Sequence, residues 1–83
     1  MPTVLLVRDW RFFFYSNEGQ EPPHIHVKRG SVQAKFWLNI ESLGVKQAYV
    51  RHMTQQEPRQ VQQIILAHFE ELLDAWQEFE RRK

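Results

Sequence analysis

The sequence predicts an α+β domain in which a small, mainly antiparallel sheet of three to four strands packs against one long C-terminal helix. Two patterns and one length predict it. Residues 3–38 carry short strand-prone segments broken by turn residues, those at 24–28 and 32–38 alternating with period two, and residues 61–79 carry apolar residues at three- and four-residue steps. A chain of 83 residues can bury one hydrophobic core but not two. With 42% hydrophobic and 13% aromatic residues it has a globular composition, and 1–83 is expected to form a single domain.

Thr3 to Val7 is β-branched and apolar, and Arg11 to Tyr15 is again strand-prone, with Asp9-Trp10 as the interruption. Ser16 to Pro23 reads as a loop, because Gly19 permits positive φ and Pro22 and Pro23 remove donors. His24 to Lys28 and Val32 to Leu38 alternate on either side of Arg29-Gly30-Ser31, the signature of a hairpin. Its parity puts Ile25 and Val27 on one face with Val32, Ala34, Phe36 and Leu38. His24, His26 and Lys28 share the other with Gln33, Lys35 and Trp37. Asn39 to His52 fits neither period and is expected to be a connector with one short strand or helical turn at most. Beyond it Val61, Ile64, Ile65, His68, Phe69, Leu72, Leu73, Trp76 and Phe79 mark the helix. Thr54 and Glu57 have capping-box spacing, while a start at Glu57 would put Pro58 at the favoured first position.

Composition excludes several functions. Eleven basic against ten acidic residues leave a net charge of +1, so no overall field gathers nucleic acid or membrane, and any polyanion binding must be local. The absence of cysteine excludes disulfides, thiolate metal sites and a cysteine nucleophile. The four-residue apolar run after Thr3 is neither a signal peptide nor a membrane span, and the expected location is cytoplasmic. With only Gly19, Gly30 and Gly44 there is no Gly-rich phosphate loop, and no cofactor is expected.

The segments Phe13 to Glu18, Glu21 to Val27, Ala34 to Leu38 and Glu70 to Trp76 together resemble the bacterial domain-of-unknown-function family 4160. The Pro-Pro-His-Ile-His-Val block at the end of the loop is the most specific part. The resemblance implies a small bacterial protein, often encoded beside another short protein, of a kind suspected of forming toxin–antitoxin-like pairs. It implies no activity.

Chemistry, if present, would lie at His24 and His26, whose side chains leave the same strand face with backbones about 6.5–7 Å apart. They could act as acid and base on a phosphodiester, with Lys35 stabilising charge, in a metal-independent endoribonuclease. Zinc would need a third ligand, with Glu18 and Glu21 as the nearby candidates, and no metal site is expected. Lys28, Arg29 and Lys35 could hold an RNA phosphate while Trp37 stacks a base. The alternative for both histidines is that they are solvated strand residues, or that they hydrogen-bond the Pro-rich loop and fix it. His68 belongs to the helix stripe, on the opposite side of the sheet from them, and should be a core-edge residue satisfied by a backbone carbonyl.

The leading expectation is a protein-interaction module of a two-gene, toxin–antitoxin-like pair. A 24-residue helix is about 36 Å long, whereas strands of this length span about 17–24 Å. The stripe should therefore overhang at Leu73, Trp76 and Phe79, where a homodimer or a small partner from an adjacent gene would bind. RNA is a possible second partner.

Overall fold

The computed structural model describes residues 3–15 and 21–82, with Thr3 described for its backbone alone. Five strands follow one another as an antiparallel meander: β1 (Thr3–Val7), β2 (Trp10–Phe13), β3 (His24–Arg29), β4 (Val32–Asn39) and β5 (Gly44–Arg51). Two helices follow, α1 (Glu57–Ala67) and α2 (Phe69–Arg81). The α+β class holds, but the expected three or four strands are five and the single helix is two.

Each hairpin is set by a short turn. β1 and β2 pair Val7 with Trp10, so Arg8 and Asp9 form a two-residue turn, both at positive φ (51° and 71°) as a type I′ connection demands. Arg29 pairs with Val32, which makes Gly30-Ser31 the second turn, and Gly30 takes φ +60° where a side chain would be strained. The parity read from the sequence is observed: His24 pairs with Trp37, His26 with Lys35 and Lys28 with Gln33.

The supposed connector contains β5. Its pairing with β4 shifts between Lys35 and Phe36, so Val45 and Val50 both line up with helix-facing residues, Leu38 and Ala34, although five positions separate them. That bulge hides the strand from any test of strict alternation.

Helices cover one face. Phe12, Ile25, Val27, Ala34, Phe36 and Leu38 form a buried cluster with Val61, Ile65, Phe69 and Leu72. At roughly 1.5–3 kcal/mol for each large apolar side chain removed from water, this layer is the main source of stability. Pro58 stands in the first turn of α1, as a start at Glu57 requires. The Glu57 carboxylate accepts from the Thr54 backbone N–H at 2.9 Å, but the N-cap is Gln56, so the capping-box spacing of Thr54 and Glu57 does not mark the helix start. The same carboxylate also accepts from the Arg29 guanidinium, which stacks over the Trp10 ring at 4.0 Å and so ties the β3–β4 hairpin to α1. The Thr54 N–H, then Arg29, hold the Glu57 carboxyl below its usual range against the opposing effect of partial burial.

The apolar stripe continues through both helices, but the backbone breaks at His68 (φ −116°, ψ 24°) without a Pro or Gly to cause it. The cause lies in where each helix packs. α1 rests against β5 and α2 against β1, at opposite edges of the sheet, and one straight rod would serve only one of them. The expected overhang is therefore absent. Trp76 is 5% exposed and packs on Phe14 (5.4 Å between ring centroids), while Leu73 and Phe79 are partly buried against the same core.

The outer face of the sheet as candidate functional site

Residues one position out of phase with the core point away from α1. Across β2 to β5 they form three rows: Arg11, Lys28, Gln33 and Arg51; then Phe13, His26, Lys35 and Tyr49; then His24, Trp37 and Lys46. The structure thus brings together His24, His26, Lys28, Lys35 and Trp37, and separates Arg29, which faces α1.

The two histidines are buried, at 1% and 5% exposure. The His26 ring stacks on Phe13 at 5.7 Å, meets the edge of Tyr15 at 4.5 Å and lies 5.2 Å from His24. His24 Nδ1–H donates to the Pro22 carbonyl at 2.9 Å, so this ring does hydrogen-bond the Pro-rich loop. The Leu38 N–H donates to the Pro23 carbonyl at the same distance and closes the loop onto β4. His24 Nε2 lies 3.8 Å from Glu21 Oε2. Both rings leave the expected face of the hairpin, but His24 also meets α2. Where β2 stops and β3 starts, its ring comes within 5.0 Å of Trp76 from α2.

Lys35, 9% exposed, donates to both Glu21 carboxylate oxygens, at 3.0 and 2.8 Å, and its Nζ sits 4.5 Å from the Trp37 ring centroid. Desolvation strengthens such charge-assisted bonds and makes an uncompensated partner costly. Glu21, weighed as a metal ligand, is thus occupied with Lys35. Ser16, Asn17 and Glu18 lie outside the described residues, among which no three His, Asp or Glu side chains converge as a metal site would require. His68 bonds through Nδ1 to Glu71 Oε1 at 3.0 Å, a carboxylate partner in place of the expected backbone carbonyl.

Around this buried patch the face stays open. Arg11, Lys28, Lys46 and Arg51 are exposed, Trp37 is half-buried and Tyr49 is exposed. The guanidinium of Arg51 lies 5.5 Å from the Tyr49 ring and that of Arg11 5.8 Å from Phe13. At the β4–β5 turn the face runs into a groove of about 620 Å³ lined by Pro22, Pro23, Trp37, Ile40, Glu41 and Lys46. Tyr49, Lys46 and Arg51 escape sequence reasoning because the bulge conceals which way β5 faces; the Arg and Tyr residues themselves are the only signal.

The profile of the family described as Domain of unknown function (DUF4160) matches residues 9–77, and the chain belongs to that family. No curated protein and no solved structure matches it. Among the described residues no helix is long and apolar enough to cross a membrane.

Proposed function

We propose that this DUF4160 domain is a non-catalytic binding module, one member of a toxin–antitoxin-like pair that engages a partner protein by contact alone. The supporting observation is that the side chains able to do chemistry are engaged within the fold. His24 holds the Pro-rich loop, His26 is enclosed by Phe13 and Tyr15, and Lys35 is bound by Glu21. An acid/base pair must reach the proton it transfers, and rings exposed by 1% and 5% offer a phosphodiester no approach.

Leu43 and Leu66 are exposed and line one depression beside the His68 break, together with Phe69, and supply apolar surface for a partner. Co-expression with the adjacent open reading frame tests the reading. A stable stoichiometric complex, weakened by Leu66→Asp, is expected. RNA cleavage by this chain alone, lost in His26→Ala, would overturn it in favour of the ribonuclease.

A further inference from the structure

We propose that the outer face of the sheet is a binding surface for single-stranded nucleic acid. This goes beyond the protein-partner reading and stands or falls independently of it. The net charge of +1 conceals a segregation. Among the described residues the five strands carry six cations and no carboxylate, whereas the two helices carry six carboxylates and two cations. Of the strand cations only Arg29 faces α1. Arg11, Lys28, Lys35, Lys46 and Arg51 all stand on the outer face, and Glu21 engages Lys35.

The arrangement is costly to the fold. Arg11 and Lys28 are direct cross-strand partners, and like charges directly opposite destabilise a sheet. Among the described residues no carboxylate pairs with either one, nor with Lys46 or Arg51. In the same row Gln33 separates Lys28 from Arg51, so at about 4.8 Å per strand the cations extend roughly 14 Å across the sheet. A polyanion laid across the strands would relieve this repulsion by releasing its counterions.

Aromatic rings decide which polyanion. Tyr49 and Trp37 stand between the cations of β4 and β5, each with a cation beside its face. Unpaired bases can stack on such rings while the phosphates meet the cations. A duplex hides its base faces, and an acidic polypeptide has none.

The test is fluorescence anisotropy with a labelled 12-nucleotide oligo(U). Four phosphate contacts predict a slope of about −2.8 in log affinity against log salt, a loss of roughly fiftyfold between about 50 and 200 mM. Lys28→Glu and Arg51→Glu should each weaken binding and lower that slope by about 0.7. Tyr49→Ala should weaken binding about fivefold or more and leave the slope unchanged. Arg59→Glu, on α1, should change neither. Lys28→Glu places a carboxylate opposite Arg11, so its melting temperature should not fall; if that protein does not fold, Lys28→Gln replaces it. Absence of saturable binding at low salt overturns the proposal, as does equal weakening by Arg59→Glu. Polyglutamate competing as well as oligo(U) would overturn it too and assign the face to an acidic protein.

Discussion

On the helix side of the sheet, Phe12, Ile25 and Phe36 share one buried cluster with Val61, Ile65 and Leu72. On the outer side, residues one position along the same strands, Arg11, His26 and Lys35, meet aromatic edges, a loop carboxylate and solvent. Among the described residues the one strand cation on the inner face, Arg29, is paired with Glu57, so this side holds no like-charge pair. The outer face holds its centre together with polar contacts, and among the described residues no carboxylate pairs with the cations of its rim. A face whose groups are satisfied internally adds stability, whereas one that sets Arg11 opposite Lys28 gives some of it up, which is the cost the proposed nucleic-acid surface would explain.

Truncation should separate the two sides most sharply. Phe36→Ala removes a fully buried ring from the inner cluster, and Trp76→Ala removes the ring that joins α2 to Phe14 and His24; each should cost about 3–5 kcal/mol in urea denaturation. The Trp76 variant should unfold more readily with no change in its sedimentation. If it dissociated a complex and kept its stability, Trp76 would be an interface residue after all. Lys35→Ala tests the centre of the outer face. It deprives Glu21 of its cation and should cost about 1–2 kcal/mol; a neutral result would show that the polar patch is not holding the loop.

Acid gives a smaller effect, confined to the hairpin–helix tie. Because the Glu57 carboxyl titrates below its usual range, the stability it adds is fully present above the unfolded pKa of about 4.3 and is lost as pH falls through the lower folded value. Glu57→Gln should therefore flatten the acid limb of a stability–pH curve, and an unchanged limb would assign the acid sensitivity to other carboxylates. Smallest of all, Lys28→Glu should stabilise the protein by about 0.2–1 kcal/mol through a new pair with Arg11. A loss of stability would show that the basic row is already neutralised.

The parity of the β3–β4 hairpin, the existence of the helical region and the shared face of His24, His26, Lys35 and Trp37 were legible in the sequence, because each depends on local spacing, whereas the same spacing allows a helix start at either Thr54 or Glu57. β5 was not, since its bulge puts Val45 and Val50 on one face at an odd separation. Nor was the burial of the histidines, which depends on Phe13 and Tyr15 arriving from a neighbouring segment and on Glu21 folding back to Lys35. The break at His68 was beyond any local rule. Its residues are unbroken helix by periodicity, and only the distance between β5 and β1, set by the order of all five strands, requires the chain to turn there and bring Trp76 onto Phe14 and His24 in place of solvent.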